Sequence, residues 1–518
     1  AAEPFVNRRT VGYLIIAAWL GALGWLGWRQ LTSDRPVPQK GLPWLVQPGS
    51  AFLAATVGDS QIGIASVIVD TGEAGLRVDE LMRLDPVGSY GAPSRELIKI
   101  SSRLSRDFRL RSWSGNVTER LTVTGTEGTV DGDSLLTVIT TSGVRVDTLR
   151  RRINGPVLTP AAIGLRLAAR KNIALGDTLQ VRVFDHTDLS LRTRLETVAA
   201  ESTFVVPDSA VGDSVHDRWL VARYDTVHAW RLDAVEDGLP IQRWIDPNGL
   251  PVRVWTPMGI TLQRGVYEIL AINYRIERGF RAPDPKAPHP PARLDTLPRQ
   301  RPDGVSGGYR LTLWGGAPFP ARPIPSLSDG PQQQFGDTVV ISGGARALAR
   351  RGRDTLEALA TELLIPAEDS AIGQAARQSL GGVRDPAGAA ARLVVWIEQN
   401  IRPEPGDGVT LIDPRRTLRL KKGDARARLL LFLAMARSAN FPARSVSGLL
   451  AVPGGFRYHD WAEIYASGWI AVDPALGQPV ADPGRIRLAT GRLGRESDLV
   501  WRAGGLRPQP LRAADSKP

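Results

Sequence analysis

Three positions in the last quarter of the chain have the spacing of an acyl-transfer site with one part exchanged. Asp424 opens the apolar helical run "DARARLLLFLAMARSAN" (424–440) as a good N-cap. The next residue, Ala425, falls in the first turn, where the positive end of the helix dipole favours an anion such as a thiolate. His459 follows in the strand-like "FRYHDWAEIYAS", where it shares a face with Trp461 and Glu463 by the two-residue period. Asp473 lies on the next strand, past a short turn at Ser467-Gly468. A nucleophile at a helix N-terminus, a strand histidine and an aspartate that orients it form a Cys–His–Asp layout. Here Ala425 holds the nucleophile's place, and a methyl group cannot attack a carbonyl. His459 and Asp473 are then a base without a nucleophile.

These residues need a helix and a sheet to hold them. The helix is expected to run to about Asn440, burying Leu429, Leu430, Leu433 and Met435. Before it, "DPAGAAARLVVWIEQNI" (385–401) has Asp385 as N-cap, Pro386 at the first helical position, and an apolar face of Leu393, Val394, Ile397 and Ile401. "ARALARRGRDTLEALATELL" (345–364) is amphipathic with a helical period. Residues 46–280 instead consist of short β-type runs, including "QIGIASVIVD", "DTLQVRVFD" and "VYEILAINYRI". "RWIDPNGLPVRVW" (243–255) predicts a hairpin around a type I turn at Asp246-Pro247-Asn248-Gly249. A large antiparallel β-rich domain is expected there, curved or sandwich-like, as one sheet or two. Residues 281–305, rich in Pro and Arg, form a linker, and 306–344 hold two more strands.

The C-terminal stretch resembles the bacterial transglutaminase-like family, which has a papain-like core. That family's pattern runs Gly-Asp-Cys-x-Glu, a helix, Gly-Ile-Pro-Ala-Arg and a strand ending in Gly, then His-x-Trp-x-Glu and a Trp…Asp-Pro. This chain keeps Gly423-Asp424, Pro442-Ala443-Arg444, Gly448, His459, Trp461, Glu463, Trp469 and Asp473-Pro474. The resemblance covers about 345–495, with a tail from 496 to 518, and implies a transglutaminase-like α+β domain. The family's cysteine matches Ala425, its following glutamate matches Ala427, and the usual small or polar residue beside it is Arg428. On this resemblance the member is degenerate: its triad positions are Ala425, His459 and Asp473, and none is active.

Composition narrows the rest. The net charge of +12 comes mainly from arginine, with seven lysines among 65 basic residues, and the arginines alternate with aspartates. That pattern describes a solvated surface rather than a nucleic-acid stripe. Absence of cysteine excludes disulfides and thiolate metal sites. The five histidines show no ligand spacing, so neither metal nor cofactor is expected. Arg415, Arg416, Arg419, Lys421, Lys422, Arg426 and Arg428 crowd the loop and first helical turn against Asp413 and Asp424, which predicts an electropositive mouth.

Residues 11–28, "VGYLIIAAWLGALGWLGW", are uncharged over 18 positions, about 27 Å as a helix. They predict a single transmembrane helix, with a cytoplasmic tail at 1–10 and a linker at 29–45. Ala17, Gly21 and Gly24 form a small-residue strip, and Trp19, Trp25 and Trp28 are further candidate packing residues. Arg8-Arg9 favour a cytoplasmic N-terminus, an inner-membrane location and a periplasmic bulk. The function that follows is a non-catalytic, membrane-anchored structural subunit of a larger membrane complex, such as a photosynthetic reaction-centre–antenna or respiratory assembly. Its partners would be other membrane subunits and the lipid bilayer, with no nucleic acid. The alternatives are a Cys-dependent peptidase or amidase captured with Ala425 in place of its nucleophile, and a module binding anionic polymer or lipid.

Overall fold

The computed structural model describes residues 46–57, 60–72, 74–84, 96–119, 122–143, 145–170, 172–186, 189–236, 239–256, 260–275, 308–313, 328, 330–336, 338–341, 353–404, 413–453, 455–490 and 506–511. Fourteen strands form one antiparallel sheet. From β1 (Gly49–Val57) to β8 (Arg145–Arg152) the chain runs as a meander, each strand beside the one before it. From β9 (Thr178–Asp185) to β14 (Ile260–Gly265) it runs back as a second meander whose last strand pairs with β1. The period-two pattern sets which face is buried: Leu76, Val78 and Leu84 of β3 (Gly75–Leu84) point inward, as do Ile100, Ser102 and Leu104 of β4 (Glu96–Leu104).

The sheet curls, and the segment after β8 bridges the start of β5 to the end strand β9. Leu110 N–H donates to Val157 O, Leu158 N–H to Arg182 O, and Phe184 N–H to Leu158 O. Trp113, on β5 (Leu110–Glu119), therefore meets Phe184 of β9 with ring centroids 4.7 Å apart. Helix α1 (Pro160–Ala168), capped by Thr159, lies in the same connection and buries Ile163, Leu165 and Leu167.

The hairpin expected at 243–255 is present as β12 (Leu239–Ile245) and β13 (Pro251–Trp255). Asp246 Oδ1 accepts from the N–H groups of Asn248 and Leu250, both at 2.9 Å, and Oδ2 accepts from Arg264. Gly249 has φ +82°, and a Cβ there would stand 2.6 Å from Leu165 Cα, so the turn seats directly on α1. "VYEILAINYRI", expected as a strand, instead holds a π-helical turn over Glu268–Asn273. The turn places Asn273 to accept from Trp219 N–H at 2.8 Å and donate to Trp219 O at 2.7 Å. It thereby clamps the long hairpin of β10 (Ser190–Asp213) and β11 (Arg218–Glu236).

Downstream, β15 (Gly308–Leu313), β16 (Gln332–Phe335), β17 (Thr338–Ile341) and β24 (Leu506–Pro510) form a small sheet, and the short β18 (Arg402–Pro403) and β19 (Lys422–Gly423) pair in parallel. A second four-stranded sheet has the order β22 (Trp469–Val472), β21 (Gly455–Tyr465), β20 (Ala443–Val452), β23 (Arg485–Thr490). The amphipathic run at 345–364 yields only α2 (Arg353–Glu357) among the described residues. Past it the chain turns through i−3 backbone bonds, and Arg437 bonds Ala360 O and Glu362 at 2.6 Å each. Helices α3 (Ser370–Leu380), α4 (Pro386–Asn400) and α5 (Pro414–Leu420) pack around α6 (Ala425–Ser438), which lies on β20 and β21. Leu429 through Ala436 have no exposed surface, and Leu393, Val394, Ile397 and Ile401 form the apolar face of α4 and its cap.

The expectation of an N-terminal transmembrane helix, and of a single-pass inner-membrane protein with a periplasmic bulk, is corrected. No helix of the described residues is long and apolar enough to cross a membrane. The longest, α4, has 15 residues, about 22 Å against a hydrocarbon core of about 30 Å, and α6 carries three arginines. Residues 11–28, with Ala17, Trp19, Gly21, Gly24, Trp25 and Trp28, lie outside the described residues. The architecture that the described residues carry is a β-rich α+β chain with a large antiparallel sheet.

Gly249→Ala and Gly143→Ala separate contact from conformation. Both positions have positive φ, but a Cβ at Gly143 meets nothing within 4 Å. Gly143→Ala should cost about 1 kcal/mol of backbone strain, and Gly249→Ala about 2–4 kcal/mol once the clash with α1 is added. Equilibrium urea unfolding of the two variants reads the difference.

Candidate functional site

Helix α6 starts where its cap requires. Asp424 accepts from Ala427 N–H at 2.7 Å, which leaves half-buried Ala425 as the first helical residue. The next three residues are buried, Arg426 and Arg428 among them. Arg426 reaches Asp460 at 3.4 Å, and Asp460 also accepts from Ser447 Oγ at 2.6 Å. Arg428 donates to Ala475 O at 2.9 Å, and its Nε is buried without a hydrogen-bond partner. Burial lowers the affinity of Arg428 for its proton, against the opposing pull of Glu398 and Asp473.

On the sheet, Gly448 pairs with His459, Val446 with Trp461 and Arg444 with Glu463. A Cβ at Gly448 would fall 2.1 Å from Ile486 O and 2.8 Å from the Trp461 ring, so glycine here lets the indole lie against the strand. Glu463 is buried between Arg444, at 2.6 Å, and Arg487, at 3.3 Å, while Arg444 stacks on Trp469 at 4.1 Å. Its contacts make Glu463 a structural anion.

His459 Nε2 lies 2.8 Å from Asp473 Oδ2, and both residues are buried. Asp473 is also held from β23: Arg485 Nη2 donates to the same Oδ2 at 2.6 Å and Nε at 3.2 Å. Oδ1 accepts from the N–H groups of Ala475 and Leu476 at 3.1 and 3.0 Å. Burial opposes ionisation of this carboxyl. The charges of His459 and Arg485 and their hydrogen bonds outweigh it, holding Asp473 well below the usual carboxylate range. This arrangement orients an imidazole and leaves Nδ1 as its other nitrogen for proton traffic. At the head of α6, Ala425 supplies no nucleophilic atom.

Sequence reasoning placed His459 and Asp473 together, and the hydrogen bond joins them. Arg485 opens "RIRLATG" (485–491), a run similar to the family in which sequence reasoning singles out no site residue. The available signal was the alternation Arg485-Ile486-Arg487-Leu488 in a strand, where every one of these residues is buried. The seven basic residues do not gather into one mouth. Arg426 and Arg428 turn inward. Arg415 bonds Asp413, the cap of α5, at 2.9–3.0 Å. Arg416 crosses to Asp147 of β8 at 2.7 Å. Lys422 pairs with Glu404 at 2.7 Å, Lys421 lies over the Trp396 ring at 4.9 Å, and Arg419 is exposed.

A second buried polar cluster lies inside the curled sheet. Ser102 Oγ is 3.5 Å from His186 Nε2, and the His186 ring packs edge-on to Trp113 and Phe184. Burial lowers the His186 pKa to about 4, against the pull of Asp185. Glu80 keeps partial surface exposure within the curl, yet burial and then the charge of Asp185 raise its pKa to about 7.

Residues 373–474 match the family model of the transglutaminase-like superfamily, so the chain contains a transglutaminase-like domain there. No curated protein matches the chain. Among solved structures, it is 19% identical to a candidate cysteine protease from Cytophaga hutchinsonii, over 31% of this chain and 52% of that one, at TM-score 0.25. The chain thus spans about half the length of that protein. It is 11% identical to a β-barrel-like domain of unknown function from Brucella abortus, over 43% of this chain and 95% of that one, at TM-score 0.30. Neither likeness reaches the level at which a shared fold follows.

Asp473→Asn should destabilise the chain by about 2–3 kcal/mol, because it removes a buried charge that His459 and Arg485 share, while Arg485 keeps Asp482 at 2.9 Å. In the double variant Asp473→Asn/Arg485→Met the cost should fall well short of the summed single costs, as urea unfolding would read. Two further groups act against each other with pH. A raised Glu80 stabilises below its unfolded value and loses that contribution as pH rises toward 7. His186, depressed to about 4, destabilises as pH falls below about 6.5. Their slopes offset in the native chain. In Glu80→Gln only the histidine slope remains, and stability should rise by about 2 kcal/mol from pH 4.5 to 6.5.

Proposed function

We propose that the transglutaminase-like domain is a non-catalytic interaction module that docks a protein partner. One observation carries this reading: the position matching the family's nucleophile, at the head of α6, is Ala425. The neighbouring exchanges point the same way. Ala427 is buried against the cap, and Arg428 is folded inward onto Ala475 O, two residues past Asp473. Arg485, buried beside His459, shares the carboxylate that would orient the base. The first turn of α6 is thus filled by packing and internal bonds, with a methyl group in the reactive place.

A second reading, a Cys-dependent peptidase or amidase captured with alanine at 425, is favoured by one specific feature. The His459–Asp473 bond keeps working geometry at 2.8 Å. The variant Ala425→Cys separates the two. Ala425 is half-buried at the start of the helix, so a thiol adds one heavy atom at the rim of the packed region. On the interaction reading, iodoacetamide should alkylate Cys at 425 at pH 7 no faster than a free thiol with an ordinary pKa near 8.5. The rate should be unchanged when His459→Ala is added, and p-nitrophenyl acetate should show no burst. Fast alkylation that depends on His459, or a burst of p-nitrophenol, would return the domain to the enzymes.

A further inference from the structure

The large sheet carries a groove, remote in sequence from the transglutaminase-like domain, whose Trp244 packs against the small buried cluster of Val206, Ala229 and Val252. It encloses about 680 Å3 and is lined by Thr56, Gln242, Trp244, Arg253, Trp255, Thr261 and Gln263. These residues come from four adjacent strands, β1, β14, β13 and β12, at directly paired register positions. Thr56 faces Thr261, Thr261 faces Trp255, and Trp255 faces Gln242; Gln263 faces Arg253, which faces Trp244. Their strand neighbours Ala55, Arg243 and Leu262 alternate with them and are buried. The groove is a rigid grid of side chains set by the ladder.

Its chemistry is selective. No lining residue is a carboxylate. Arg253 makes no ion pair among the described residues, its Nε is buried without a hydrogen-bond partner, and its guanidinium is held over the Phe204 ring at 5.3 Å. Trp244 is buttressed, edge-on to Phe204 at 4.9 Å with Arg231 at 5.8 Å over its ring. The neighbouring acid, Asp233, is engaged by Arg231 through two bonds of 2.9 and 3.0 Å. The site therefore offers two indoles as diagonal neighbours, about 7–8 Å apart at the backbone, two amides, two hydroxyls and one uncompensated cation.

From these features we infer that the groove is a binding site for a carboxylated oligosaccharide. Sugar rings present apolar C–H faces to indoles. Vicinal hydroxyls, each a donor and an acceptor, match primary amides, which offer both. A ring carboxylate answers Arg253 with a charge-assisted pair. An acidic peptide fits less well. The groove lies on a sheet face, whose backbone N–H and C=O groups are already spent in the ladder, so strand addition has no main-chain partners to use.

Tryptophan fluorescence and calorimetry on the full chain test this, with tetragalacturonate as probe, chitotetraose as its neutral counterpart and tetraglutamate as the peptide. Tetragalacturonate should bind saturably, and both Trp255→Ala and Arg253→Gln should weaken it by about tenfold or more. Chitotetraose should bind the native chain about tenfold more weakly than tetragalacturonate. Arg253→Gln keeps the test open should Trp255→Ala fail to fold. Absence of saturable binding, affinity unchanged in a folded variant, chitotetraose binding as tightly as the acidic sugar, or tetraglutamate doing so would each overturn the inference.

Discussion

A carboxylate sealed from water must find its compensation in the protein, and Asp473 sets that requirement for the C-terminal domain. It has no exposed surface and receives His459 from β21, Arg485 from β23, and two N–H groups from the turn that follows it. The partners lie on strands on either side of β20, so one buried charge fixes the spacing of three strands and a turn. The charge-assisted bonds to Oδ2 are the strong kind, and losing a partner leaves an unpaired ion in a dry place. The geometry by which a triad would orient its base is here also a structural keystone. The pairing of His459 with Asp473 thus serves the fold as well as any orientation of the imidazole.

Arginine plays the same part elsewhere. Arg243 is held by both oxygens of the wholly buried Glu196 at 2.8 Å, and Arg264 by the turn residue Asp246 at 2.9 Å. Arg437 bonds Ala443 O, Ala360 O and Glu362. A planar fork with five donors suits such many-sided positions better than an ammonium, and the scarcity of lysine in the chain agrees with this use. The net charge of +12 is thus a poor guide to the surface: several of the arginines that produce it are internal struts.

Much of the fold was legible where local chemistry and periodicity agree. The cap at Asp424, the Asp385-Pro386 start and the Asp246–Gly249 turn each rest on short-range bonds that a few residues specify. The joining of His459 to Asp473 could be read because strand period and a short turn bring them side by side. Less legible were features decided by distant partners. The run at 266–276 has strand composition but holds a π turn over Glu268–Asn273, whose Asn273 bonds Trp219, 54 residues away. The helical run expected over 345–364 is helical only at Arg353–Glu357 among the described residues, and Arg437, over 70 residues on, bonds the Ala360 carbonyl beyond its end. The basic run at 415–428 looks like one surface in sequence, yet its members part toward Asp147, Asp413, Asp460 and Ala475.

The bond from Arg416 to Asp147 spans 269 residues and ends on the edge strand of a fourteen-stranded sheet. An open edge is a template for pairing with other chains. On a ribosome the sheet can close from β1 to β14 well before α5 leaves the exit tunnel, so Asp147 waits for Arg416 while well over a hundred further residues are made. Contacts of such sequence separation form late. The pairing of Arg416 with Asp147 is thus among the last links that the growing chain can make to its sheet.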